Sequence, residues 1–171
     1  MNAGNESESG HVKNRTTVER TSDREVVVTR TINGPARIVF EAFTRAELFR
    51  RWWVPKSMGM TLLSCEVDAR VGGKYRLVFD HSPEPVAFFG TYVEVQPYSR
   101  LAWTNEEGGE GGPVTTVTFD EQGGRTLVVL RESHASKESL DAAGTGAAEA
   151  LIETFDQLDE LVVSLGEGSG Q

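Results

Sequence analysis

Histidine and cysteine, the usual ligands of zinc, are few in this 171-residue chain. There are three histidines, His11, His81 and His134, and a single cysteine, Cys65. Their positions fit neither the HExxH nor the CxxC spacing of metal sites, so we predict no metal site and no cofactor. No histidine lies near Cys65 in the sequence, which favours a buried apolar role for this thiol over a nucleophilic one.

Acid–base chemistry has only weak candidates. Asp80 and His81 are adjacent in a loop, where they form either an acid–base pair at a cavity mouth or a solvated turn. Tyr75 and Tyr92 are the phenols that a strand could direct into a cavity. An enzyme needs an acid and a base positioned together. We therefore assign no catalytic residue, and the sequence leans towards a protein that is not an enzyme.

The charge balance narrows the classes of partner. Lys and Arg number 17 against 26 Asp and Glu, and the net charge of −9 disfavours nucleic acid as a partner. The glycine-rich loop at 108–112 lacks the Lys-Ser/Thr of a P-loop, and glutamates in and before it would repel phosphate. No apolar run approaches the roughly 18 residues of a membrane span, and no secretory signal is present. Together with the single cysteine, these features predict a cytoplasmic protein.

The two ends of the chain are predicted to be disordered tails. Residues 1–22 contain almost no apolar side chains, so burial cannot offset the entropy lost on ordering them. Residues 166–171 have the same character. We therefore expect a single domain at 23–165, which is long enough to bury a substantial core without help from a metal or a disulfide.

The hydrophobic pattern changes twice along this domain. A β-branched run at 25–32 predicts a strand, and two short helices follow it, the second starting at the capping-box pattern Thr44-Arg45-Ala46-Glu47. Short alternating stretches then predict strands at 60–69, 74–80, 86–95, 100–105, 114–120 and 125–132. Residues 151–165 repeat apolar side chains every three or four positions, as an amphipathic helix does.

These elements define an α+β domain. The long C-terminal helix has one apolar face to bury, and an antiparallel sheet of six or seven strands has one face to cover. A curved sheet wrapped around the helix satisfies both requirements. Where the curvature exceeds what side chains can fill, a cavity lies between the sheet and the helix.

Strand alternation indicates which side chains would line this cavity. We place Phe89 rather than Phe88 on the inner face, because Thr91, Val93 and Val95 follow on the same side of the strand. The predicted lining residues are Tyr75, Leu77, Phe79, Phe89, Trp103, Val117, Phe119, Leu151 and Phe155. The same residues could instead fill a solid core.

Two adjacent tryptophans end the second short helix. Trp52 and Trp53 point about 100° apart on a helix, so they either anchor the helix to the sheet or form the cavity entrance. The basic residues near them are Arg45, Arg50, Arg51 and Lys56. This positive patch could steer an anionic ligand, or it could be a solvated helix face.

Five motifs occur in an order that resembles a known family. They are Thr29-Arg30-Thr31-Ile32, Val39-Phe40-Glu41-Ala42-Phe43-Thr44, Arg51-Trp52-Trp53-Val54-Pro55, Asp68-Ala69-Arg70-Val71-Gly72-Gly73 and Phe155-Asp156-Gln157-Leu158. Together they resemble bacterial proteins similar to the C-terminal domain of the activator of heat-shock protein 90 ATPase, over about residues 24–163. That family belongs to the START-like, or SRPBCC, superfamily, so the resemblance implies the helix-grip fold.

The resemblance implies function only at the level of class. Members of the superfamily bind lipids, hormones or polyketides in the cavity, some are cyclases or dehydratases, and one branch stimulates a chaperone ATPase. We predict non-enzymatic binding of a small apolar or amphipathic molecule. The alternatives are a stress-response module that binds a chaperone ATPase and an enzyme similar to polyketide cyclases. The expected oligomeric state is a monomer or a weak homodimer.

The chain departs from the family pattern at one position. Members often carry Gly-Trp at the start of the inner face of the last helix, where this sequence has Ala150-Leu151. Leu151 is smaller than tryptophan and lacks the indole donor. The resemblance therefore implies a roomier and drier cavity beside Leu151.

Overall fold

A computed structural model describes residues 15–109 and 111–169 of the protein, with side chains to residue 166. The strands are β1 (Thr17–Arg20), β2 (Glu25–Ile32), β3 (Leu62–Val67), β4 (Lys74–Phe79), β5 (Val86–Gln96), β6 (Arg100–Thr104), β7 (Val114–Gln122) and β8 (Arg125–Ser133). The helices are α1 (Ala36–Thr44), α2 (Ala46–Phe49), α3 (Lys137–Ala143) and α4 (Gly146–Ser169), and a 3-10 turn spans Lys56–Met58.

All the strands belong to one antiparallel sheet in the order β1-β2-β8-β7-β6-β5-β4-β3. The sheet curves around α4, which confirms the predicted α+β helix-grip fold. It has eight strands in the described part of the chain rather than six or seven. Side chains alternate in and out along β2, where Val26, Val28 and Ile32 enter the core, as expected for a sheet with one covered face.

The additional strand comes from the segment predicted to be a tail. β1 pairs with β2 from Thr17 opposite Thr29 to Arg20 opposite Val26. Val18 is the one apolar side chain of β1, so hydrophobic patterning gave no strand signal, although Val18 packs against the core. The tail prediction is therefore wrong for residues 17–20. Residues 1–14 lie outside the described residues.

Two helix boundaries also differ from those predicted. The capping box at Thr44 does not form, because the Thr44 hydroxyl donates to the Phe40 carbonyl oxygen at 2.9 Å inside α1. Arg45 precedes the first turn of α2 without a side-chain cap. At the other end of the chain, α4 continues to Ser169, four residues into the predicted C-terminal tail, and residues 170–171 lie outside the described residues.

Helix α4 packs its apolar face on the concave side of the sheet. Phe155, Leu158 and Val162 are buried there, at the three- and four-residue spacing seen in the sequence. A glycine separates this helix from the one before it: α3 ends at Ala143, and Gly144 follows with φ of 70° and ψ of −167°, a conformation essentially restricted to glycine. The first turns of α4 then lie over the part of the sheet that α1 does not cover.

Candidate functional site

A cavity of about 380 Å³ lies between the concave face of the sheet and the first turns of α4. Its walls are mainly apolar. The sheet contributes Val26, Val28, Val67, Tyr75, Leu77, Phe79, Phe88, Tyr92, Trp103, Thr115, Leu130 and Glu132. The helix contributes Ala147, Ala148, Ala150, Leu151 and Thr154. Three of the five helix residues are alanines, whose small side chains leave space in front of the sheet.

One rung of side chains crosses the floor of the cavity. Strand pairing places Val26 opposite Glu132, Glu132 opposite Thr115, Thr115 opposite Trp103, and Trp103 opposite Tyr92. All five line the cavity. The neighbouring row of inward-facing residues, which includes the pair Val28 and Leu130, is apolar. The polar groups of the sheet are therefore concentrated at one end of an apolar floor.

Tyr75 is held against the floor by a glycine on the neighbouring strand. It lies opposite Gly90, where a Cβ atom would stand 1.8 Å from the Thr104 oxygen and 2.8 Å from the Tyr75 ring. Only glycine leaves room for this approach. The Tyr75 hydroxyl donates to the Thr104 carbonyl oxygen at 3.0 Å. Burial raises the pKa of Tyr75 and of Tyr92, so both phenols stay protonated at neutral pH.

Hydrogen bonds from α4 fix the segment that closes one side of the cavity. The Gln157 amide donates to the carbonyl oxygens of Trp52 (3.0 Å) and Val54 (2.8 Å), and its oxygen accepts from the Lys56 N–H at 2.9 Å. The Glu153 carboxylate accepts from the Ser57 N–H at 2.9 Å. These bonds place Trp53, Val54, Pro55 and Met58 in the cavity wall.

The structure brings six of the residues nominated from sequence to the cavity. Tyr75, Leu77, Phe79 and Trp103 line it from the sheet and Leu151 from the helix, while Trp53 lies in the wall beside α2 and stacks on Phe49 with ring centroids 4.8 Å apart. Met58 and Phe88 are lining residues that are also exposed, so the cavity opens to solvent beside them.

The prediction that Phe89 lines the cavity is wrong. Phe88 lines the cavity and its ring meets that of Phe79 at 5.6 Å, whereas Phe89 is on the opposite face. The cause is a bulge: pairing between β5 and β6 shifts by one residue between Tyr92 and Glu94. The bulge reverses which residues of β5 face inwards. Strict alternation counted from Val95 back towards Phe89 therefore assigns the residues before the bulge to the wrong face.

The remaining nominated residues are core residues that leave no space beside them. Val117 and Phe119 face α1, and the Phe119 ring packs edge-on against Phe40 and Phe43. Phe155 is fully buried against Trp52. Trp52 is an anchor rather than part of the entrance, because its indole N–H donates to the Ala42 carbonyl oxygen at 2.9 Å. The core-filling alternative is thus correct for Val117, Phe119 and Phe155, and the anchor alternative is correct for Trp52.

Sequence reasoning missed the carboxylate, amide and hydroxyl groups of the wall, among them Glu132 and Thr154. Alternation from Val128 and Leu130 would have placed Glu132 on the inner face. Thr154 lies one helical turn after Leu151 and is 1% exposed. Its hydroxyl has no hydrogen-bond partner within the described part of the chain. Nothing in the sequence distinguishes it from a threonine bonded to its own helix.

Other candidate groups lie away from the cavity or are inert. Burial raises the pKa of the Cys65 thiol, whose sulfur lies 3.8 Å from the Ala46 carbonyl oxygen, so a thiolate is disfavoured. His134 is buried, with Nε2 3.3 Å from Glu132 Oε1 and Nδ1 3.1 Å from Ser139 Oγ. Across the described ranges no three His, Cys, Asp or Glu side chains form a group that could hold a metal ion.

The family model described as "Activator of Hsp90 ATPase homolog 1-like protein" matches residues 33–163. This chain belongs to that family. No curated protein matches the sequence of this chain. In the described residues, no helix is both long enough and apolar enough to span a membrane.

Solved bacterial structures share the fold of this chain. A Rhodobacter sphaeroides protein is 19% identical, with a TM-score of 0.77 over 88% of this chain and 99% of its own. A Chromobacterium violaceum protein is 27% identical, with a TM-score of 0.68 over 81% and 97%. An AHSA1-like protein from Aeromonas hydrophila is 19% identical, with a TM-score of 0.63 over 82% and 94%.

Proposed function

We propose that this protein binds a small apolar or amphipathic molecule in the cavity between the sheet and α4. The observation that carries the proposal is the buried, unpartnered Thr154 hydroxyl in the wall of a mainly apolar space of about 380 Å³. Small-molecule sites combine apolar walls with a few placed polar groups in this way. A bound molecule would restore the van der Waals contacts that the empty walls lack and give the hydroxyl a partner.

The polar groups of the wall support binding rather than catalysis. The Tyr75 phenol already donates to Thr104, and the raised pKa values of Tyr75 and Tyr92 keep both phenols protonated, so neither can act as a general base at neutral pH. Both ring nitrogens of His134 are hydrogen-bonded, Nε2 to Glu132 and Nδ1 to Ser139. The imidazole is therefore not available to take a proton from a molecule in the cavity.

Calorimetry against fatty alcohols, flavonoids and polyketide-like aromatics tests this proposal. We expect at least one class to bind with a negative heat-capacity change, because apolar surface leaves water on binding. Trp103 lines the cavity, so its fluorescence should change in the wild type and the change should be lost in Trp103→Phe. Affinities no better than about 1 mM for every class, equivalent to about 4 kcal/mol, would refute it.

The description of the family favours a second candidate, an interaction module for a chaperone ATPase. Its test is the ATPase rate of a purified Hsp90-type chaperone with and without this protein. Stimulation that persists in a cavity-filled variant would support the module independently of ligand binding. An unchanged ATPase rate at saturating protein would eliminate it.

A further inference from the structure

We propose that the ligand of this cavity carries a positively charged amine, which pairs with the Glu132 carboxylate. The inference rests on the proposed function and specifies its ligand class. It draws on three features: the charges in the wall, the position of Glu132 in the sheet, and the Thr154 hydroxyl.

The charges in the cavity wall all have one sign. Glu107 and Glu132 line the cavity, and within the described residues no arginine or lysine does. The Glu132 side chain is only 24% exposed, and charges interact more strongly when they are partly shielded from bulk water. A ligand carboxylate would lose hydration and be repelled there, whereas an ammonium group would be attracted. The net charge of −9 adds a field of the same sign around the molecule.

Glu132 occupies a place in the sheet that an apolar residue would normally take. It follows Val128 and Leu130 on the inner face of β8, and its cross-strand neighbours are Val26 and Thr115. Its Oε1 lies 3.3 Å from His134 Nε2, while its Oε2 has no hydrogen-bond partner among the described residues. Arg131, the nearest arginine in sequence, points to the outer face and pairs with Glu25. The second carboxylate oxygen therefore remains available to a ligand.

Thr154 is a second, independent polar anchor. It approaches the same cavity from α4, is almost completely buried, and has an unpartnered hydroxyl. Leaving a buried hydroxyl unpaired is unfavourable, so an occupant with a polar group reaching Thr154 gains a hydrogen bond that the protein alone does not make. The cavity wall therefore offers both a carboxylate and a hydroxyl to a molecule that binds in it.

The basic patch near Trp52 does not offer an equivalent site for an anion. Arg45 pairs with Glu47 at 2.7 Å, and the Arg50 guanidinium donates to the Leu62 carbonyl oxygen. None of the four basic residues of that patch lines the cavity. An anion attracted to the patch would still meet Glu107 and Glu132 on entering.

Three probes with the same ten-carbon chain test the inference: decylamine, decanol and decanoate. Binding is measured by calorimetry at pH 7 and about 0.15 M salt, where charges beyond roughly 8 Å are screened. The variants are Glu132→Gln, which removes the charge at constant shape, and Thr154→Val, which removes the hydroxyl at constant shape. The control is Glu66→Gln, which changes the net charge equally at an exposed position outside the cavity wall.

We expect decylamine to bind the wild type at least tenfold more tightly than decanol, and decanoate to bind more weakly than decanol. Glu132→Gln should remove most of the amine preference, Glu66→Gln should preserve it, and Thr154→Val should weaken decylamine severalfold. Decanoate binding as tightly as decylamine, or an amine preference unchanged in Glu132→Gln, would overturn the inference but leave the proposed function standing. If no probe binds, this inference fails, and the proposed function is decided by its own wider ligand panel. The wild-type ranking decides the matter even if a variant folds poorly.

Discussion

The guanidinium of Arg30 on β2 and the carboxylate of Asp159 on α4 lie 2.9 Å apart, and both residues are buried. Asp159 also accepts from the backbone N–H of Asn33 at 2.9 Å. Arg30 pairs in addition with Asp156, whose side chain is 46% exposed. This network joins the helix that roofs the cavity to the sheet that forms its floor.

Replacing Asp159 by Asn should lower the free energy of unfolding by about 3 kcal/mol, because a buried arginine loses its best-shielded partner. Asp156→Asn is the matched control on the same arginine, and it should cost about 1 kcal/mol or less because Asp156 is half exposed. Urea denaturation measures both values. Equal effects of the two substitutions would contradict the assignment of Asp159 as the main partner.

Thr154→Val should leave the unliganded protein as stable as the wild type or stabilise it, because it removes a buried hydroxyl that has no partner. Thr126→Val is the matched control: Thr126 is equally buried, but its hydroxyl donates to the Gly34 carbonyl oxygen at 2.8 Å. That variant should lose about 1–3 kcal/mol by leaving an acceptor unpaired. A comparable loss in Thr154→Val, measured by thermal unfolding, would mean that the Thr154 hydroxyl is satisfied.

Deleting residues 1–20 should lower the free energy of unfolding by about 1–3 kcal/mol, because it removes β1 and the half-buried Val18. It also removes Thr16, whose hydroxyl accepts from Arg30 at 3.0 Å. Deletion of residues 1–14 is the control, since it preserves all of these contacts. If both deletions gave the same unfolding midpoint, β1 would contribute nothing to stability.

Leu158→Ala should cost about 2–5 kcal/mol, because Leu158 is fully buried on the inner face of α4. Ile152→Ala, on the exposed face of the same helix, should cost less than 1 kcal/mol. The difference between their denaturant midpoints tests which face of α4 is buried.

The sequence was sufficient for the fold because its periodicity is strong where the core is. Leu158 and Val162 repeat at helical spacing, and Val26 and Val28 alternate as strand residues do. Where local signals were weak, the prediction was wrong. β1 is held largely by backbone pairing, which leaves little trace in side-chain pattern, and Thr44 bonded within α1 instead of capping α2.

The site was less predictable than the fold because a cavity depends on where side chains fail to meet. Strand alternation placed Phe119 on the inner face correctly, and helical spacing did the same for Phe155, but only the packing of α1 and Trp52 shows that they have no space beside them. The bulge at Tyr92 reversed the assignment of Phe88 and Phe89. The unpaired state of the Thr154 hydroxyl depends on three-dimensional contacts that no sequence pattern records.

The most direct test of the cavity as a ligand site compares tryptophan introduced at two adjacent positions of α4. Leu151 lines the cavity and is buried, whereas Ile152 is 45% exposed and does not line it. Decanol binding is measured by calorimetry on wild type, Leu151→Trp and Ile152→Trp, with thermal unfolding of each. We predict that Leu151→Trp folds with undiminished stability and binds decanol at least tenfold more weakly, while Ile152→Trp binds like the wild type. Wild-type affinity in a folded Leu151→Trp variant would contradict binding in this cavity.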